Sequence, residues 1–238
     1  MLKELKLGIE DVSTQIVCRD RYNELLGVLC NISTSMEKFA TEIRNLQRDE
    51  IGEVAEVFEA KKQVGSSTMP HKRNPITCEQ ICGLARLVRG FIIPTYENAV
   101  QWHERDLCNS SNERFIIPHS IILTDWIIYN ADDVFKNIKV FPDKMKKNLE
   151  ISKGLPMAES LMTTLIGKGM GRGDAHELMR KIALKAAEEG KTLKEIFIIE
   201  NKKLKLLSEK EISYALNPEN YLGVTDEIID RVVKKFKR

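Results

Sequence analysis

Nothing in the sequence approaches the roughly 20 consecutive apolar residues of a membrane-spanning helix, so no membrane span is expected. The first residues, Met1-Leu2-Lys3-Glu4-Leu5-Lys6-Leu7, mix charge with leucine and lack the apolar centre of a secretory signal. Neither sign of charge is in excess: 37 Lys and Arg against 35 Asp and Glu leave a formal net charge of +2. That balance gives nucleic acid or an anionic lipid surface little electrostatic hold. Cysteines number five, an odd count without framework spacing, which argues against a disulfide scaffold and suits reduced thiols in a cytosolic protein. Cys78 and Cys82 stand four apart with His71 nearby, but no second Cys or His pair has ligand spacing, so neither metal nor cofactor is expected. Strand-like alternation is absent too, and the expected fold is all-α.

What the sequence has is long helical periodicity. Cys18, Tyr22, Leu25, Leu29, Ile32, Met36, Phe39, Ile43 and Leu46 recur at alternating spacings of four and three, a heptad seam on one helix of about 45 Å. Ile81, Ala85, Val88, Ile92, Thr95, Ala99 and Trp102 form a second seam, with Pro94 inside it as an expected kink. Ile117, Ile121, Thr124, Ile128, Ala131, Phe135 and Ile138 form a third. Three such seams fit neighbouring helices of a long-helix bundle, with polar breaks at 65–75 and 103–114 at helix ends. Three helices leave much apolar surface uncovered, which calls for self-association or for further helices. After Phe141-Pro142 the helical patches shorten, to about 143–151, 157–167, 174–189, 191–200, 208–213 and 225–237. The expected division is a bundle domain over 1–140 and a small all-helical domain over 141–238. Gly167, Gly169, Gly171 and Gly173 read as an inter-helix turn, because no strand precedes them and no Gly-Lys-Ser/Thr ending follows.

The first polar break, Gly65-Ser66-Ser67-Thr68-Met69-Pro70-His71-Lys72-Arg73-Asn74-Pro75, concentrates the chemistry. Glycine before two hydroxyls permits unusual backbone angles, and two prolines enforce extended neighbours. Asn74 suits a helix N-cap and Pro75 a first helical position. A helix N-terminus beside Lys72 and Arg73 makes a site for an anion. A carboxylate substrate losing an α-proton builds a second negative charge. Lys72, Asn74, amides near Met69 and the N-terminus at Pro75–Thr77 are placed to stabilise it. A serine becomes the base when donors and a lysine hold its alkoxide away from water. The second break offers Arg105, Ser110 and Arg114 within ten residues, either a bidentate phosphate or carboxylate clamp or surface ion pairs with Glu104, Asp106 and Glu113. Gln15 and Arg19 add polar groups at the start of the first long helix.

The stretch from Gly65 to Pro75 resembles the signature loop of the fumarase/aspartase superfamily, whose members cleave C–N or C–O bonds and release fumarate. Tyr96-Glu97-Asn98, Trp102-His103-Glu104-Arg105-Asp106, Ser110-Ser111-Asn112-Glu113-Arg114, Ser13-Thr14-Gln15 and Arg19-Asp20-Arg21 resemble the adenylosuccinate lyase family within it. The similarity runs from about residue 10 to the end. It implies a homotetramer with a central helical bundle, active sites shared between subunits, and a nucleotide substrate (adenylosuccinate, yielding AMP and fumarate). By position, the resemblance makes Ser66 the base on the succinyl Cβ–H. Lys72 and Asn74 hold the carboxylates and the developing charge, Ser67 and Met69 contact the same end, and Glu79 lies near the site. Gln15, Arg105, Leu107, Ser110 and Arg114 fall where the nucleotide binds. Argininosuccinate lyase and carboxymuconate cycloisomerase share the loop, and a helical oligomerisation module without catalysis would also keep the bundle. Members run to about double this length, and the part without a counterpart is N-terminal. That part carries the histidine that protonates the leaving nitrogen. None of His71, His103, His119 and His176 lies in the corresponding motif, so the resemblance implies a C-terminal half, inactive alone.

Overall fold

A computed structural model describes residues 3–57 and 73–237. They form helices almost throughout. The first unit contains α1 (Asp20–Leu46), β1 (Val54–Ala55), α2 (Ile76–Gly90), α3 (Ile92–Glu97), α4 (Cys108–Asn137) and β2 (Lys139–Val140). There follow α5 (Pro142–Ile151), a 3-10 turn at Leu155–Met157, α6 (Ala158–Gly167), α7 (Arg172–Glu189), α8 (Leu193–Leu204), α9 (Glu209–Ala215), a second 3-10 turn at Pro218–Asn220 and α10 (Thr225–Phe236). The chain divides into two compact units, Met1–Lys144 and Met145–Arg238. No helix among the described residues is long and apolar enough to cross a membrane.

The all-α expectation holds with one small exception. Val54 and Ala55 pair antiparallel with Val140 and Lys139. This two-residue ladder is too short to show as an alternating pattern, and it joins the segment after α1 to the segment after α4.

In the first unit, α1, α2 and α4 pack around Ala40, Ile43, Cys78, Ile81, Cys82, Ala85, Val88, Ile127, Ala131 and Val134. The second seam lies as expected from Ile81 through Thr95, except that Ile92 is only half-buried, while Ala99 and Trp102 are exposed. The kink expected at Pro94 falls earlier, at Phe91 between α2 and α3. Proline lacks the N–H that would reach the carbonyl four residues back, and here that carbonyl belongs to Gly90.

The first and third seams hold only in part: Ile43, Thr124 and Ala131 are buried and Leu29, Met36 and Ile138 pack against the core, but other members are exposed. On α1 the buried residues are Leu26, Ser33, Ala40 and Ile43, and Leu25 and Phe39 of the expected seam are exposed. On α4 they are Asn109, Ile116, Ser120, Thr124, Ile127, Ala131 and Val134, and Ile121, Ile128 and Phe135 are exposed. Small side chains decide this. Ser33 and Ala40 let α1 approach its neighbours closely, and the hydroxyls of Ser33 and Thr124 meet at 3.3 Å in the interior. Each helix therefore carries two apolar stripes. One is covered within the unit and the other, joined across α1 and α4 by the edge-to-face pair Phe39–Phe135 at 5.7 Å, is open. The uncovered apolar surface expected from the sequence is thus present in the bundle.

The second unit packs α6, α7, α8 and α9 around Leu161, Leu165, Met179, Ile182, Leu193, Ile196, Phe197 and Ile212. Sequence-local devices fix its helix ends. Thr192 with Glu195, and Ser208 with Glu211, form reciprocal capping boxes at the starts of α8 and α9. Gly190 closes α7 at φ +63°, a conformation that glycine adopts without steric cost. The glycine-rich segment is the α6–α7 turn, as expected.

Glu211 yields a pH prediction. The Lys168 ammonium and the Ser208 amide and hydroxyl hold its carboxyl down at about 2, against an ordinary 4.5. A depressed folded pKa contributes stability that is complete above the unfolded value and is lost as pH falls toward the folded one. Hydrogen-exchange protection of the α9 amides should therefore decline between pH 4.5 and 2, and Glu211→Gln should flatten that decline. An unchanged slope in the variant would remove Glu211 as its origin.

Candidate active site

The polar residues gather at the two ends of α1. At its start, Arg19 is the N-cap residue and its guanidinium grips Glu113 with both nitrogens, Nε to Oε1 at 2.6 Å and Nη2 to Oε2 at 3.1 Å. The two side chains are only 12% and 13% exposed. Asn109 donates to the same Glu113 Oε1 at 3.0 Å, and Arg19 also lies over the Tyr22 ring at 5.0 Å. Thr14 donates its hydroxyl to the Glu104 carbonyl at 3.0 Å. Asn98 and Asn112 exchange amide hydrogen bonds at 2.6 and 2.8 Å. These contacts tie the segment before α1 to the α3–α4 connection and the first turns of α4.

Five residues named from the sequence sit at this end. Gln15 is next to Thr14 and exposed, and Arg105 is next to Glu104 and half-buried. Leu107 is exposed, Ser110 is half-buried, and Arg114 is exposed on the second turn of α4. The expected break at 103–114 is corrected: the connection ends at Leu107 and α4 begins at Cys108. The two readings of Arg105 and Arg114 now separate. Glu113 is taken by Arg19, and Asp106 accepts the amides of Cys108 and Trp102 at 2.9 and 3.2 Å. Those two amides hold the Asp106 carboxyl below its ordinary range. Arg105 reaches only the Asp106 carbonyl, at 3.5 Å, and among the described residues neither Arg105 nor Arg114 forms an ion pair. A guanidinium group without an ion pair can receive a phosphate or carboxylate bidentately.

At the other end of α1, Gln47 is the C-cap residue. Its side chain accepts from the Glu56 amide at 2.8 Å and donates to the Arg73 carbonyl at 3.1 Å. Glu56, 7% exposed, in turn accepts from the amides of Thr77 and Cys78, both at 3.0 Å, at the start of α2. This overturns two expectations. Asn74 is not the cap: Pro75 holds the N-cap position without a side-chain bond, and Ile76 is the first helical residue. Nor is the α2 N-terminus an open seat for a substrate carboxylate, because a carboxylate of the chain already fills it. Glu79 is exposed on the first turn of α2, and Asn74 is half-buried just before it. Ser66, Ser67, Met69 and Lys72 lie outside the described residues, as does His71. Cys78 and Cys82 are buried in the core, and burial pushes the Cys78 thiol well above its ordinary pKa.

Sequence reasoning singled out neither Glu56 nor Gln47. Both act through tertiary contacts across 9 to 26 residues, which no local spacing announces. The two ends of the site are far apart. With 27 residues, α1 is about 40 Å long at 1.5 Å per residue, so one copy does not bring Gln15 and Arg105 to the α2 N-terminus. A cavity of about 470 Å³ belongs to the second unit, between α5 and residues 216–222, and none of the residues named for chemistry lines it.

Comparison with known proteins gives two family matches. A family described as "Lyase" matches residues 1–90, and one described as "Adenylosuccinate lyase C-terminus" matches residues 154–232. The adenylosuccinate lyase of Methanothermobacter thermautotrophicus is 45% identical over 98% of the chain, and that of Pyrococcus abyssi 47% over 98%. The chain spans about half the length of these curated relatives, 52% and 51%. Among solved structures, the β-carboxy-cis,cis-muconate cycloisomerase of Acinetobacter calcoaceticus superposes with a TM-score of 0.85 at 30% identity, over 98% of the chain and 50% of that protein.

The Arg19–Glu113 pair makes a prediction for this end. Arg19→Ala should strand a desolvated carboxylate and cost about 3–5 kcal/mol in denaturant unfolding. Removing Glu113 as well should recover part of that loss. A cost for Arg19→Ala below about 1 kcal/mol, typical of a surface pair, would refute the idea that the pair fastens α1 to α4.

Proposed function

Because the chain belongs to the adenylosuccinate lyase family of the fumarase/aspartase superfamily, we propose that it forms part of an enzyme releasing fumarate from adenylosuccinate. The reaction is a β-elimination that gives AMP, and the same chemistry acts on succinyl-aminoimidazole-carboxamide ribotide in purine nucleotide biosynthesis. Ser66 takes the succinyl Cβ proton. Lys72 and Asn74 hold the carboxylates and the charge that builds on them, with Ser67 and Met69 at the same end. The electron pair left on carbon forms the double bond of fumarate as the C–N bond breaks. The leaving nitrogen takes its proton from an acid outside residues 1–238. Glu79 is a polar group beside the loop. Gln15, Arg105, Leu107, Ser110 and Arg114 receive the nucleotide.

The observation that carries this reading is the separation of Asn74 and Glu79 from Arg105, Ser110 and Arg114 by the length of α1. Residues that serve one substrate from opposite ends of a rigid helix serve it from different copies. The open apolar stripes of α1 and α4 supply the surface for that association, and a homotetramer is the assembly proposed. A cycloisomerase-type lyase is the second reading, supported by the superposition at 30% identity. The 45% and 47% identities to adenylosuccinate lyases favour the first.

Fumarate release, followed by ultraviolet absorbance, tests the assignment on the protein that contains these residues. Ser66→Ala should abolish turnover of adenylosuccinate and leave helical content intact. Near-wild-type turnover in that variant would remove Ser66 as the base, and faster turnover of a carboxymuconate would favour the second reading. Residues 1–238 alone should release no fumarate.

A further inference from the structure

Gln47 and Glu56 have no place in the elimination just described, yet they form a connected polar group at their end of the first unit. One primary amide, Gln47, touches the chain on both sides of residues 58–72: it accepts from the Glu56 amide at 2.8 Å and donates to the Arg73 carbonyl at 3.1 Å. Residues 56 and 73, 17 apart in sequence, are thereby held within the span of a single side chain. The Glu56 carboxylate then locks the same point to α2 through two amides at 3.0 Å each. Both anchors are rigidly based. Gln47 is the C-cap residue of α1, with its own amide bonded to the Ile43 carbonyl at 2.9 Å. Glu56 follows β1, which is paired to β2.

The chemistry of the clasp is specific. The ends of a long connection are costly to order, and a carboxylate accepting two backbone amides at a helix start is a strong, charge-assisted anchor. The result is a fixed exit and a fixed entry for the connection that carries Ser66, Ser67, Met69 and Lys72. We propose that Gln47 and Glu56 are positioning residues, which set the base and its lysine against the substrate without touching it. This rests on the assignment of Ser66 and Lys72 above. Misplacement of a reacting group by about 1 Å costs on the order of a hundredfold in rate, so the anchors of the connection bear directly on turnover.

The test uses the enzyme that contains these residues, with three readouts: kcat for fumarate release, the Kd for AMP, and hydrogen exchange at the Thr77 and Cys78 amides. Glu56→Ala should speed exchange at both amides and lower kcat by about tenfold or more, while AMP, whose proposed contacts lie at the far end of α1, binds as before. Glu56→Gln, which keeps an acceptor oxygen in the same place, should recover part of the lost rate. Gln47→Ala should act in the same direction, and the double variant should fall short of the product of the single effects, since the two side chains work in series. A core variant, Ile127→Val, matched for lost stability, should keep its kcat. If Glu56→Ala does not fold, Glu56→Gln and Gln47→Ala carry the same comparison. The proposal is overturned if kcat holds while the two amides exchange faster, or if kcat and AMP binding fall together as they do with general loss of structure. A wild-type protein that releases no fumarate would instead overturn the lyase reading, and the exchange data would still report whether Glu56 caps α2.

Discussion

A helix cannot bring its own two ends together. In this chain α1 is a continuous 27-residue rod of about 40 Å, and a connected set of polar contacts is made at each tip. Its N-cap residue, Arg19, grips Glu113 on α4. Its C-cap residue, Gln47, grips Glu56 and, through it, the start of α2. Between the tips an apolar core, the Ser33–Thr124 hydroxyl pair and the ion pairs of Glu37 with Arg86 and Arg89 hold three helices in register. The separation of the two polar ends is thus a property of backbone geometry and not of side-chain choice, and it is the ground for proposing an active site assembled between copies.

The packing follows the same logic. Ser33, Ala40, Ala85 and Ala131 line the inner contacts, where bulk would force the helices apart. Leu25, Phe39, Ile121, Ile128 and Phe135 stand outside them on a second stripe. In an isolated bundle that stripe would be an aggregation hazard, and in the proposed assembly it would be the interface. In the second unit, shorter helices whose ends are fixed locally, by two capping boxes and a left-handed glycine, pack a core of their own, while α10 buries none of its residues.

How much of this the sequence revealed depends on how local each cause is. Helix positions were legible because periodicity, capping boxes and glycine turns act within a few residues. The patches expected at 157–167 and 174–189 match α6 and α7 to within two residues. Which stripe faces inward was only partly legible on α1 and α4: Ile43, Thr124 and Ala131 of the expected seams are buried. A heptad count weighs the large apolar residues, whereas close helix contact selects small ones, and Ser33 belongs to no apolar pattern. On α2 the large and small residues share a face, so there the seam lay as expected. Gln15, Arg105, Ser110 and Arg114, the residues proposed for the nucleotide, were picked out as residue types in motifs. The reason Arg105 and Arg114 stand without ion pairs among the described residues was not legible, because it depends on Arg19 reaching Glu113 across 94 residues of sequence. Glu56 was missed for the same reason: its partners lie 21 and 22 residues away on another helix.

The central claim is that one active site draws its base and its nucleotide contacts from different copies. Mixing two inactive variants tests it most directly: chains carrying Ser66→Ala and chains carrying Arg105→Ala, co-assembled and assayed for fumarate release. A site shared between copies predicts that turnover, absent from each variant alone, reappears in the mixture, because some sites then receive both intact residues. Turnover that stays absent from a mixture shown to contain both chains in one assembly would contradict it.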